Sequence, residues 1–344
     1  MEKTKKIKQT IRNLIVFILL ICLTFFLIFK DENIPEILKI ATNVDQRYIL
    51  IAILAMFVFI LCETLNIGRV LKELGEKSNF IKNIKYTLIG FFFSAITPAA
   101  SGGQPMEIYY MHKEDIKVAN STLALLIHLW SFQIITISFG IISTILNFEV
   151  VKGGLIYLVI LGIMLNSIAL TLLAISIFSK KLSEGVIKAA VKILKLFKIK
   201  NIEEKQEKLE AELEKYQESA KYIKAHKLIM LKTLITTVVQ IIVYYSIPYW
   251  VYRSFGFCQY NIFQIITLQA VLYATVSGIP SPGAVGVSEG GFIEIFKNVF
   301  PNTMISGAIL LNRGISFYAF VLISGIVVII NTLKSKKIDK NLEQ

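Results

Sequence analysis

Ile96-Thr97-Pro98-Ala99-Ala100-Ser101-Gly102-Gly103-Gln104-Pro105-Met106-Glu107 interrupts one apolar segment of the chain. Gly278-Ile279-Pro280-Ser281-Pro282-Gly283-Ala284-Val285-Gly286-Val287-Ser288-Glu289-Gly290-Gly291 interrupts another. Each carries a carboxylate nine residues after a proline, Pro98 to Glu107 and Pro280 to Glu289, and the two pairs lie 182 residues apart. Irregular backbone at membrane depth survives only where protein or a water-filled cavity satisfies its polar groups. A matched pair of broken segments in two halves of a chain points to a transporter-like binding site.

The segments around the breaks are those of a membrane protein. Hydrophobic residues make up 55% of the 344, and the mean hydropathy is +0.64. Runs of roughly 20 apolar residues span a bilayer, and six segments reach that length: 11–29, 48–67, 118–147, 155–178, 228–252 and 303–333. The first is read as a retained helix, because Phe29-Lys30-Asp31-Glu32 follows it with no small-residue cleavage site. The formal charge is +13, and most of it lies in ends and loops, where it suits anionic lipid headgroups better than nucleic acid.

Charge also sets topology. Lys3, Lys5, Lys6, Lys8 and Arg12 place the N-terminus in the cytoplasm, loop 30–47 has no basic excess, and Arg69, Lys72, Lys77, Lys82 and Lys85 mark the next cytoplasmic loop. The fourteen lysines of 180–232 and the Lys334, Lys336, Lys337 and Lys340 tail are cytoplasmic by the same rule. Segment 86–112 then begins and ends inside, and segment 260–300 begins and ends outside. The expected fold is an all-α polytopic membrane protein with about six full spans. Two oppositely oriented re-entrant hairpins complete an inverted repeat. The single transmembrane domain divides into a first half, 1–179, a charged helical linker, 180–227, and a second half, 228–344. Twelve residues from Tyr86 to Thr97 make roughly 18 Å of helix, enough to bring the first break to mid-bilayer. The prolines Pro98, Pro105, Pro280 and Pro282 are read as the hairpin breaks, with glycines supplying the φ values of the reversal.

Ionisable groups inside a bilayer are expensive and are functional candidates by default. Glu107, Glu289 and Arg313, with Asn312 beside it, are the main ones, expected to meet around a central cavity. Shifting Arg313 back by 182 lands on Ser131, next to His128, Trp130 and Gln133, so the equivalent span of the first half is also polar. Ser101, Gly102, Gly103, Gln104, Ser281, Gly283 and Ser288 complete the candidate substrate-binding set, the free amides of the breaks being suited to an anion. Hydroxyls also cap broken helices. Glu63, Arg69 and His128 are secondary candidates; Arg69 also suits snorkelling to headgroups, and His128 an interhelical hydrogen bond. Cys22, Cys62 and Cys258 read as small buried hydrophobes. The scattered histidines and cysteines suggest no metal, and no cofactor is implied. No P-loop element is present, so ATP-driven pumping has no support.

Thr97-Pro98-Ala99-Ala100-Ser101-Gly102-Gly103-Gln104-Pro105 and Pro280-Ser281-Pro282-Gly283-Ala284-Val285-Gly286-Val287-Ser288-Glu289-Gly290 resemble signatures of the lysylphosphatidylglycerol synthase transmembrane family, the flippase-like membrane part of multiple peptide resistance factors. The likeness extends over roughly residues 10–335 and takes in Arg313. The family implies a cell-membrane protein concerned with lipid metabolism and antibiotic resistance, in which a soluble domain lysylates phosphatidylglycerol and the membrane domain moves the product outward. This chain shows no transferase-sized segment, so the expected function is movement of a phospholipid, aminoacylated or otherwise anionic or lipid-linked, between leaflets. Phosphatidylglycerol lysyltransferase activity, or service as its membrane subunit, is the alternative. A third reading is a scaffold docking a soluble partner through 180–227.

Overall fold

The computed structural model describes residues 34–178, 185, 221, 224–279 and 281–342. The expected span 11–29, most of the linker 180–227 and Pro280 lie outside the described residues. Among the described residues all regular structure is helical: α1 Ile34–Thr42, α2 Gln46–Glu73, α3 Phe80–Ala95, α4 Gly103–His112, α5 Val118–Leu146, α6 Phe148–Val151, α7 Gly154–Phe178, α8 Lys227–Tyr245, α9 Ile247–Ser254, α10 Ile262–Val276, α11 Val287–Phe296, α12 Asn302–Arg313 and α13 Ala319–Leu342. Short 3-10 turns, Pro98–Ala100 and Pro282–Ala284, sit at the two breaks, and a π turn, Gly314–Tyr318, joins α12 to α13.

Five segments among the described residues are long and apolar enough to cross a membrane: 46–73, 118–146, 154–172, 227–254 and 302–332. The protein is a multi-pass α-helical membrane protein. Its polarity is that of a bundle in lipid. Leu228, Leu231, Ile235 and Val239 on α8, and Leu322, Ile326 and Ile329 on α13, recur every three or four residues and are exposed, one apolar stripe per helix. Thr64, Asn66, Thr233, Thr237, Gln240 and Ser131 are wholly buried, and Asn66 donates to Thr237 Oγ1 at 3.0 Å to tie α2 to α8. Small residues bring helices close. A Cβ on Gly162 of α7 would stand 2.0 Å from the Ala274 carbonyl oxygen of α10.

Helices α2 and α8–α9 run antiparallel: Arg253 donates to Tyr48 Oη near one end (3.1 Å), and Arg69 to Thr236 Oγ1 near the other (3.0 Å). Each break lies in a helix–turn–helix unit. In the first, Lys85 and Tyr86 of α3 bind Glu114 just past α4, while Gly90 faces Glu107 and Gly103 faces Ser94 nearer the turn, so α3 and α4 are antiparallel. In the second, Tyr260 before α10 donates to the Asn298 carbonyl after α11 (3.1 Å). The open end of the first unit lies with the α2 C-terminus and that of the second beside α9, at opposite ends of the bundle. The 3-10 turns of the two units pack against one another.

Four expectations about the breaks change. The first helix starts at Phe80, six residues before Tyr86, because Asn79 caps it by accepting from the Lys82 amide at 2.9 Å. Its 16 residues reach about 24 Å. Pro105 breaks nothing: it is the third residue of α4, in the first turn, where no intrahelical N–H is needed. In the first break Ala100 takes the left-handed conformation (φ 53°), whereas the second uses Gly283 (φ 59°), Ala284 (φ 51°) and Gly286 (φ 85°). The structural correspondence also differs from the Pro–Glu spacing. Pro98–Ala100 matches Pro282–Ala284, and the ten-residue helices Gly103–His112 and Val287–Phe296 match end to end, all with an offset of 184. The extra length lies between Ser277 and Ser281, so Glu107 sits two positions further along α4 than Glu289 does along α11.

Candidate functional site

Glu289, in the first turn of α11, is 2% exposed, and Arg313, the last residue of α12, is 7% exposed. Arg313 Nε donates to Glu289 Oε1 at 2.8 Å, and Tyr318 Oη donates to the same oxygen at 2.9 Å. Glu289 Oε2 accepts from the Gly286 amide at 2.7 Å, and Arg313 Nη2 donates to the Gly283 carbonyl at 3.0 Å. The guanidinium also lies 4.3 Å from the centre of the Phe317 ring, a cation–π distance. Arg313 therefore fastens the second break to the last span, with its charge balanced by the carboxylate.

The π turn makes this possible. In an α-helix, residues five apart point about 140° away from one another. The i→i+5 bonding of a π turn brings them round to one side, so Arg313 and Tyr318 both reach Glu289.

Between the breaks lies a cavity of about 260 Å³. Ser94, Ala95 and Ala100 line it from the first unit, Ser277, Ser281, Gly283, Ala284 and Ser288 from the second, and Asn312, Arg313, Ser316 and Phe317 from the last span. Tyr244, Gln269 and Tyr273 close it from α8 and α10. Three of these residues present buried polar atoms with no hydrogen-bond partner: Gln269 Oε1, Ser281 Oγ and Asn312 Oδ1. Orphaned buried acceptors are rare and costly, and here they share one void with a guanidinium. The chamber can hold a small group that bears both an anion and hydrogen-bond donors.

The structure thus places Glu289, Arg313, Asn312, Ser281, Gly283 and Ser288 in or beside one chamber. Ser101, Gly102, Gly103 and Gln104 do not line it. The Gly102 amide donates to Thr97 Oγ1 at 2.9 Å, and Gly103 lies against Ser94, so these residues close the first turn. Pro282 starts the second 3-10 turn. Glu107 belongs to a different group. It is buried against Gly90 and within electrostatic reach of Glu63, and His128 Nε2 lies 3.8 Å from Glu63 Oε1. Arg69 hydrogen-bonds Asn66 and Thr236. Cys62 is buried, but Cys258 is exposed, because it falls in the connection between α9 and α10. Cys22 lies outside the described residues.

Sequence reasoning passed over Gln269 and Tyr273. Their signal was there: polar residues four apart in an apolar helix share a face. Tyr318 carried no such signal, since α-helical spacing puts it away from Arg313.

A family model described as the lysylphosphatidylglycerol synthase TM region matches residues 13–325. A UPF0104 membrane protein of Archaeoglobus fulgidus is 20% identical over 320 residues, covering 92% of this chain and 96% of its own length. A UPF0104 membrane protein of Pyrococcus horikoshii is 23% identical over 309 residues, covering 87% of this chain and 91% of its own.

Proposed function

Since the chain belongs to the lysylphosphatidylglycerol synthase transmembrane family, we propose that it carries a phospholipid headgroup between the leaflets of the cell membrane, through the chamber between its two breaks. The carrying observation is that this chamber combines Arg313 with the orphaned acceptors of Gln269, Ser281 and Asn312. A lipid phosphate meets the guanidinium, of whose five donors Glu289 and Gly283 occupy two. Hydroxyl or amine donors of the headgroup meet the orphaned oxygens. Acyl chains stay in the hydrocarbon, so only the headgroup requires a polar path, and about 260 Å³ suits a headgroup rather than a whole lipid.

In this reading the helix–turn–helix units are re-entrant hairpins that enter from opposite faces as an inverted repeat. Lys72, Lys82, Lys85, Lys113 and Lys227 flank the open end of the first, which supports a cytoplasmic side for that end and, with it, for both termini.

The test is reconstitution with acyl-labelled phospholipids, reading exchange by chemical quenching of the outer leaflet. Arg313→Lys keeps the charge but loses the planar fork that meets phosphate, and Asn312→Leu removes an acceptor. Both are expected to slow exchange at least tenfold while eluting as folded protein. Wild-type rates in both, with every anionic lipid tested, would sink the assignment. The same vesicles supplied with charged tRNA and phosphatidylglycerol examine the aminoacyl-transfer alternative by lipid mass spectrometry, and no aminoacylated product is expected.

A further inference from the structure

Away from the chamber, α2, α4 and α5 bring Glu63, Glu107 and His128 together. Glu107 is 3% exposed, and one carboxylate oxygen is so close to Gly90 that a Cβ there would lie 2.0 Å from it. Its other oxygen, Oε2, has no hydrogen-bond partner. His128 is 6% exposed, and its Nδ1 is likewise unpartnered while Nε2 faces Glu63 at 3.8 Å.

The charges on neighbouring elements are engaged elsewhere. On α3, Lys85 and Tyr86 bind Glu114. Arg69 of α2 bonds Asn66 and, on α8, Thr236, and it faces Cys62. Arg313 is held by Glu289. Tyr273 of α10 lies within electrostatic reach of Glu63, and His128 is the one titratable residue of α5. No permanent cation is therefore seen to balance the two carboxyls among the described residues. With Glu107 buried and Glu63 partly buried, two ionised carboxylates here would be destabilising, whereas one proton shared among the three groups removes the repulsion and fills an orphaned site. Intramembrane carboxyl–histidine clusters of this kind suit proton relay.

We propose that Glu63, Glu107 and His128 hold an exchangeable proton whose release and uptake couple headgroup movement to a transmembrane proton gradient. The coupling rests on the translocation reading; the proton site does not. Tyr273 links the two, since it lies within electrostatic reach of Glu63 and lines the chamber. The proton moves between the carboxyl–imidazole cluster and water, with no bond to the lipid made or broken.

Two measurements on the full chain decide it. Infrared difference spectroscopy of the purified protein across a pH step should show a protonated-carboxyl band that Glu107→Gln or Glu63→Gln removes. Absence of the band in wild type, or its survival in both variants, overturns the proton site. In vesicles with labelled phosphatidylglycerol, an imposed pH gradient should accelerate wild-type exchange several-fold, and Glu107→Gln should bring the ratio of driven to undriven rates to one. A wild-type rate indifferent to the gradient overturns coupling while leaving lipid movement standing. Acceleration by a sodium gradient at constant pH, in place of the proton gradient, also overturns it. If wild type moves no lipid at all, the translocation reading and the coupling both fall, and the infrared band alone decides the proton site.

Discussion

At the scale of single residues, the Glu289–Arg313 pair is costly to bury and costlier to split. Removing one member leaves the other charge without compensation, at about 3–5 kcal/mol. Glu289→Gln is accordingly expected to lower the thermal midpoint of the purified protein sharply. Replacing both residues, as in Glu289→Gln with Arg313→Met, should recover part of the loss, because no orphan charge remains. Thermal denaturation of the four proteins measures this, and strict additivity would mean that the 2.8 Å contact is energetically idle. Tyr318→Phe removes one of three donors to the carboxylate and keeps the ring. Its cost should be smaller, about 1.5–3 kcal/mol for a hydrogen bond to a charged group.

Among elements, the π turn carries a prediction of its own. Deleting Gly314 would let α12 run into α13 as one α-helix in which Arg313 and Tyr318 stand four residues apart, about 40° from one another. Tyr318 would therefore stay beside Glu289, and the apolar stripe of Leu322, Ile326 and Ile329 would keep facing lipid. Lipid exchange and a thermal midpoint close to wild type are the expected result; loss of both would show that the following side chains had turned with the deletion. Close packing gives a second test. Gly162→Val places a Cβ 2.0 Å from a backbone oxygen that cannot swing aside as a side chain tip would, and overpacking of this sort costs about 1–3 kcal/mol. The elements themselves were legible because long apolar runs and charged connections mark them directly. The break geometry was less so. Prolines and glycines announced an interruption, but the left-handed Ala100, the tolerated Pro105 and the 184-residue correspondence all depend on which turn the neighbouring backbone imposes, which composition does not encode.

For the whole molecule, sequence patterning went furthest where one physical rule governs many residues. Apolar length predicted five segments later found as long helices, and paired breaks with buried charge pointed to Arg313 and Glu289. It failed to separate two polar centres: Glu107 has the same Pro–Glu spacing as Glu289, yet it lies within electrostatic reach of Glu63, which in turn meets His128. Orientation is a property of the assembled bundle, and it can be tested with a native residue. Lys72, Lys77, Lys82, Lys85, Lys113, Lys117 and Lys227 gather at the end where the first unit opens. The opposite end carries Tyr48, Tyr249 and Trp250 around Arg253, an aromatic belt of the kind that marks a membrane interface. Cys258 is exposed at that aromatic end, and Cys62 is buried. In intact cells making a Cys22→Ser variant, a membrane-impermeant maleimide should therefore label Cys258 without lysis, and Cys258→Ser should remove the signal. Labelling that requires lysis would place the aromatic end in the cytoplasm and reverse both proposed hairpin entries.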